Sequence, residues 1–336
     1  MDNPLRQLMN RYQKGERSTF QAMPYLPIAR LAERGLKFND VLKDSTALTE
    51  AALWNFEFGF ESTILPFDLN VEAEILGAKV TYFDDIEGTP VYPTIAIKPV
   101  ATAEDFIIPE DMSKMGRMPV ILKSLAQVQQ SSAEKGAVGV FIPGPFMLAQ
   151  QAMDLDELFL MVIERPDELS AILERVAIFI NKLKEVYINA GAEFIVFEDG
   201  GATTISPKVF QELLLPHLKD IFAVKRVPHI FSMTGSSDDF IELMVQSNSD
   251  GIGVDQQCDI ERARKIIPSE MPLFAICGEL DLMATENREE VAEQLISALD
   301  KGATNVGPPA DMYPPAKIEN IEYFVEVLKR YKGRGK

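Results

Sequence analysis

The sequence predicts an α/β fold, a (β/α)8 TIM barrel with an N-terminal helical extension and a β-hairpin insertion, on three observations. Short apolar runs recur along the chain, each breaks off at a carboxylate, a Gly-Pro or a polar turn, and amphipathic stretches lie between them. Runs of this length, rich in β-branched and aromatic side chains, read as buried parallel strands. Their alternation with helical spacing implies βα units. The absence of a Gly-rich dinucleotide turn after the first run favours a closed barrel over an open doubly wound sheet.

Residues 1–19 read as an N-terminal helix. The predicted strands follow as FQAMPYLP (20–27), STILPFD (62–68), VGVFIPGP (138–145), EFIVFED (193–199), PHIFSMTG (228–235), GIGVD (251–255), PLFAICGE (272–279) and TNVGPP (304–309). Helical spacing shows between them, as in Leu158, Met161 and Val162, then Leu169, Ile172, Leu173 and Val176. Residues 69–118 separate the second and third strands by far more than one helix, so they form an insertion. Within it AKVTYFDDIEGTPVYPTIAI alternates about an EGTP turn, which predicts a β-hairpin flanking the barrel mouth. With no linker in sight, residues 1–336 read as one domain.

Fifty-one acidic against thirty-three basic side chains leave a net charge of −18, and no run of Lys or Arg forms a patch. Nucleic-acid binding is therefore not expected. No apolar run approaches the ~18 residues that a membrane helix needs, and MDNPLRQLMN lacks a signal-peptide core, so a cytoplasmic protein that contacts no membrane is expected. Two cysteines, Cys258 and Cys277, make no disulfide framework.

A barrel does its chemistry at the carboxyl ends of its strands. Those ends carry Asp68, Asp199, Thr234, Asp255, Glu279 and, just past the last, Asp311. Asp199, in FEDGGAT, precedes two glycines that let backbone approach a ligand, and reads otherwise as a helix N-cap. Asp255, in GVDQQ, reads equally as a ligand contact or a helix cap, and Glu279, in CGELD, as a functional group or a salt-bridge partner. Asp68 and Glu72 stand four apart, the spacing of a helix start as well as of a site. His217 reads as structural, and Met147, Met153, Met161 and Met233 as core.

Five segments in order resemble the uroporphyrinogen decarboxylase superfamily, and within it the corrinoid-dependent methyltransferases that pass a methyl group from a corrinoid protein to coenzyme M. They are LPFDLNVEAEILGAKV (65–80), GPFMLAQQAMDLDELFLMVIERPDEL (144–169), GAEFIVFEDGGATTISPKVFQELLLPHLKDI (191–221), GVDQQCDIERARKII (253–267) and GPPADMYPPAKIENIEYFVE (307–326). The decarboxylase branch binds a polycarboxylate through N-terminal arginines of an R-Q-A-G-R type, whereas FQAMPYLPIAR offers Arg30 alone. The coenzyme M enzymes hold zinc through a His-x-Cys pair after strand five and a distant Cys near the last strand. Set against that pattern, this chain reads His229-Ile230-Phe231, and Gly307 to Asp311 contains no Cys. A substitute set of His229 and Cys277 with Glu279 or Asp311 stays open, but no local ligand pair survives, and no bound metal is expected.

Zinc would keep a thiol as thiolate; without it a nucleophile that needs no metal is the better acceptor. The N5 nitrogen of a tetrahydropterin is one. Its pyrimidine edge presents two donors side by side to a carboxylate. The resemblance and its departure together imply methyl transfer between a methylated corrinoid protein and tetrahydrofolate or tetrahydromethanopterin. In this reading Asp199, His229 and Glu279 are the catalytic candidates. Asp68, Asp255, Gln256, Asn305 and Asp311 bind substrate. No D-x-H-x-x-G cobalamin signature is present, so a partner must bring the corrinoid. Self-association is left open. The rival readings are a zinc-dependent coenzyme M methyltransferase, a decarboxylase or lyase on the same barrel, and a binding partner without activity.

Overall fold

The computed structural model describes residues 3–86, 89–132, 134–311 and 314–333. Nine strands are present among them: β1 (Ser62–Leu65), β2 (Lys79–Thr81), β3 (Thr94–Ile97), β4 (Ala137–Pro143), β5 (Phe194–Glu198), β6 (His229–Met233), β7 (Gly251–Val254), β8 (Leu273–Ile276) and β9 (Asn305–Gly307). All but β2 and β3 form one parallel sheet in the order β1-β4-β5-β6-β7-β8-β9, with helices returning the chain between neighbours. The sheet is therefore that of an α/β barrel, and the second to eighth predicted strands all join it.

The first predicted run does not pair as a ladder strand. Residues 19–21 instead lie between the two outer strands of the sheet and are held largely by side chains. Glu61 N–H donates to the Thr19 carbonyl (3.1 Å), the Ser62 hydroxyl accepts from Gln21 N (2.6 Å) and donates to the Gln21 carbonyl (3.0 Å), and the Asn305 amide donates to the Phe20 carbonyl. Ser62 and Asn305 thus take over part of what a backbone ladder would supply. Asn305, expected to bind substrate, spends its N–H on this seam.

Alternation along each strand sorts the core into two layers. Phe20, Ile64, Phe141, Phe194, Val196, Ile230 and Phe274 pack together inside the curl of the sheet, and Leu5 and Leu8 of helix Pro4–Gln13 plug its amino-terminal end. The Phe20 ring lies 4.8 Å from that of Phe194 and 5.8 Å from that of Phe274. Each such ring buried contributes on the order of 2 kcal/mol. The intervening residues, among them Val140, Ile195, Phe197, Phe231 and Ile252, face the helices.

The insertion is present as expected. Helix Val71–Ile75 leads into antiparallel β2 and β3, with a register shift at Lys79 and Val80, and helix Met118–Ser132 returns to β4. Ile86 and Thr89 exchange backbone hydrogen bonds across the reversal (3.0 and 2.8 Å), while Glu87 and Gly88 of the predicted EGTP turn lie outside the described residues. No helix among the described residues is long and apolar enough to cross a membrane.

Candidate active site

Four aspartates stand at the carboxyl end of the sheet where the sequence places them, and each has both carboxylate oxygens engaged within the protein. Asp199 follows β5 and accepts from Phe146 N (3.1 Å) and Met147 N (2.6 Å), at the start of helix Pro145–Ala152 after β4. Asp255 follows β7 and accepts from Gly235 N (2.6 Å) after β6 and from Gln257 N (2.9 Å). Asp311, past β9, accepts from Ile28 N (2.7 Å) and Ala316 N (2.8 Å), tying the last loop to the helix that follows the N-terminal seam. The common design is a carboxylate that fastens a loop of a neighbouring unit by its free N–H groups.

Asp68 is held differently. Arg117 grips it bidentately (2.9 and 2.7 Å) and also reaches Glu74 (2.9 Å) and the Leu42 carbonyl. All four aspartates are buried. Burial pushes Asp199 up to about 7 and Asp311 up to about 6, with the N–H bonds just named acting in the opposite direction. The expectation that Asp68, Asp199 and Asp255 offer a bidentate face to a pterin is therefore corrected, because those faces already hold the rim together. Glu279 is exposed and Gln256 half-buried, so these two predicted residues remain open to a ligand at the rim.

Two glycines let the staples close. A Cβ on Gly144 would overlap the side chain of Asp199, and one on Gly200 would overlap the Thr234 hydroxyl.

Glu198, to which the sequence reading gave no role, ends β5 and shares the inward face of Val196. Its Oε1 accepts from Gly200 N (2.9 Å), Thr234 N (3.0 Å) and the Thr234 hydroxyl (2.8 Å), while its buried Oε2 has no partner. Burial raises its pKa, and the Ser232 and Thr234 groups oppose the rise. The register pairs Glu198 with Ser232 of β6, which is in turn paired with Gly253 of β7. Ser232 and Gly253 line the cavity at the mouth, with Ala22, Met23, Ile276 and Gly307. The signal that could have found Glu198 was parity, since FIVFE puts Val196 and Glu198 on one face.

The same parity removes His229 from the mouth. It is the first residue of β6, at the amino-terminal end, and its ring lies 5.2 Å from Phe197 and 5.7 Å from Phe222 in the layer between sheet and helices. Both ring nitrogens lack a partner, and burial, with Lys184 and Lys225 nearby, lowers the pKa to about 2. Inward-facing residues of β6 are Ile230 and Ser232, so the positions that suit a His-x-Cys pair at the rim are Ser232 and Thr234. Hydroxyls in place of imidazole and thiolate do not fit a zinc site. Among the described residues no group of three or more His, Cys, Asp or Glu is placed to hold a metal ion, so a set joining His229 to Cys277 does not form. A wider cleft at the amino-terminal face, beside Arg11 and Glu61, holds charges already paired (2.7 Å).

Comparison with known proteins gives a consistent family. A uroporphyrinogen decarboxylase (URO-D) family model matches residues 18–331. A methylated-thiol–coenzyme M methyltransferase of Methanosarcina mazei is 22% identical over 289 residues, covering 85% of this chain and 77% of that protein. A methylcobamide:CoM methyltransferase, MtbA, of Methanosarcina acetivorans is 26% identical, covering 82% and 81%. A uroporphyrinogen decarboxylase of Trichlorobacter lovleyi is 24% identical, covering 94% and 93%. A solved methyltransferase from Methanosarcina mazei superposes with a TM-score of 0.88 over 97% of this chain and 98% of that one at 17% identity, which shows the shared fold.

Proposed function

The chain belongs to the uroporphyrinogen decarboxylase family, and from that premise we propose that it is a methyltransferase working between a methylated corrinoid carried by a partner protein and a tetrahydropterin such as tetrahydrofolate or tetrahydromethanopterin. Relatives with methyltransferase names support the reaction class. The observation that carries the choice of acceptor is the carboxyl end of β6, where Ser232 and Thr234 present hydroxyls. Such a site has little to hold a thiol as thiolate at neutral pH, whereas a neutral ring nitrogen attacks without that help. The corrinoid's methyl-cobalt face would approach the mouth from outside, with the pterin between it and the inward residues of β5 and β6.

The decarboxylase name of the Trichlorobacter relative is not carried over. Arg30, the single arginine close behind the N-terminal seam, stacks on Phe58 (4.9 Å) and pairs with Glu33 (3.0 Å), leaving no arginine cluster there for a polycarboxylate.

The test is anaerobic incubation with methylcobalamin or a methylated corrinoid protein, following the cob(I)alamin spectrum. Formation of cob(I)alamin with tetrahydrofolate or tetrahydromethanopterin and none with coenzyme M is the expected result. Turnover with coenzyme M alone, or one equivalent of tightly held zinc by elemental analysis, overturns the reading in favour of a thiol acceptor.

A further inference from the structure

We propose that Glu198 is the proton-handling residue of this site, touching the substrate nitrogen through Oε2 and taking or giving its proton as the methyl group moves. The inference rests on the pterin reading above. Its first support is placement: Glu198 closes β5 on the inward face, beside Ser232, at the end of the sheet where the family fold opens. Its second is the asymmetry of the carboxyl group. The side chain is 2% exposed, three donors converge on Oε1, and Oε2 is left with none.

A buried carboxyl oxygen without a partner is costly and calls for an explanation; Glu72 Oε2 shares that state away from the strand ends, whereas Glu198 Oε2 has it at the carboxyl end of the sheet. The four aspartates of the rim make the contrast, since every one of their oxygens is engaged. Donors fixed on Oε1 hold the group in one orientation and leave Oε2 as the oxygen that exchanges a proton. Burial raises the pKa of the acid, and the Thr234 and Gly200 donors on Oε1 act against the rise. The titratable group beside it is Asp199, whose carboxylate is turned onto Phe146 and Met147.

The N5 lone pair forms the N–CH3 bond, the Co–C bond breaks with both electrons remaining on cobalt, which passes from Co(III) to Co(I), and the N5 proton moves to Glu198 Oε2. In the opposite direction Glu198 returns that proton to N5, cob(I) takes the methyl group, and N5 leaves with the electrons of the broken bond.

Glu198→Gln and Thr234→Val test it on the full-length protein. Glu198→Gln is expected to lower kcat by about 100-fold or more, with the pterin KM changed by no more than a few-fold and one limb of the pH-rate profile lost. Thr234→Val removes a hydrogen bond to the charged form, so the limb due to Glu198 moves to higher pH by up to about one unit. Infrared difference spectra give a readout independent of turnover: a protonated carboxyl band that changes on adding pterin and is missing in Glu198→Gln. Activity of Glu198→Gln within threefold of wild type and an unchanged profile overturn the proposal while leaving the pterin reading intact. Wild-type protein inert towards every pterin but active on a thiol overturns that reading first. If Glu198→Gln fails to fold, an unmoved limb in Thr234→Val overturns the proposal on its own.

Discussion

Arg117→Met separates a stapling aspartate from a substrate-binding one. Arg117 makes two hydrogen bonds to Asp68 and one to Glu74, and the side chains are 9%, 1% and 11% exposed. Methionine fills much of the volume, so the packing loss is small, below about 1.5 kcal/mol. What remains is one carboxylate buried without its counter-ion and a second that has lost a partner. Removing one member of a buried pair costs about 3–5 kcal/mol, a large share of the ~5–15 kcal/mol that holds a domain folded. The double variant Arg117→Met/Asp68→Asn removes the more buried pair as a unit and leaves only Glu74 without its counter-ion, so it should recover part of the loss. Urea unfolding followed by circular dichroism measures both, with the coupling read from the double-mutant cycle. A single variant within about 1 kcal/mol of wild type refutes the stapling role. So does Asp68→Asn that abolishes activity at unchanged stability, which would return Asp68 to the substrate.

Two further outcomes follow from buried groups the site does not use. Burial pushes Glu72 up to about 8, with Tyr187 hydroxyl on Oε1 (3.1 Å) and Oε2 unpartnered. The folded state therefore holds the proton longer than the unfolded one. Stability is fully present below about 4.5 and is lost as pH rises towards about 8. Glu72→Gln should match wild type near pH 4 and be more stable by a few kcal/mol above pH 8, at about 1.4 kcal/mol per unit, as read by urea midpoints. For His229 the sign reverses, since its pKa falls from 6.5 to about 2 and stability is lost as pH drops below 6.5. His229→Leu should remove that loss, leave methyl transfer within about twofold and cost under ~1 kcal/mol at pH 7, because both ring nitrogens are already unpartnered. A large loss of methyl transfer in a well-folded His229→Leu would restore a chemical role for the ring.

Much of the scaffold was legible because parallel strands buried on both sides must be continuous apolar runs. VGVFIP, FIVFE and HIFSM fall on β4, β5 and β6 for that reason. FQAMPYLP has the same composition, yet its register on the sheet is set by the Ser62 hydroxyl and the Asn305 amide, which no local pattern reveals. The rim aspartates were legible as strand ends. Their role was not, because a carboxylate just past a strand serves a ligand or a neighbouring loop equally well, and Asp199 meets N–H groups 53 and 52 residues away in the chain.

Parity explains why the placements of Glu198 on β5 and His229 on β6 were not legible. Alternation puts Val196 with Glu198, and Ile230 with Ser232, but sequence alone does not say which member of each alternating set faces inward. Without that knowledge the single histidine near β6 attracted a catalytic role, and a glutamate inside an apolar run passed as part of a strand.

The alternation of strands and helices, the hairpin insertion and the lack of a Lys/Arg run are properties of neighbours along the chain, so the sequence by itself determined them. Which carboxyl oxygens at the strand ends are spent, and that Oε2 of Glu198 is left without a partner, was decided only in three dimensions. Hydrogen-bond partners such as Asp311 and Ile28 come from residues 283 apart, and the burial that makes an unpaired Oε2 on Glu198 chemically significant exists only once the sheet has curled around it.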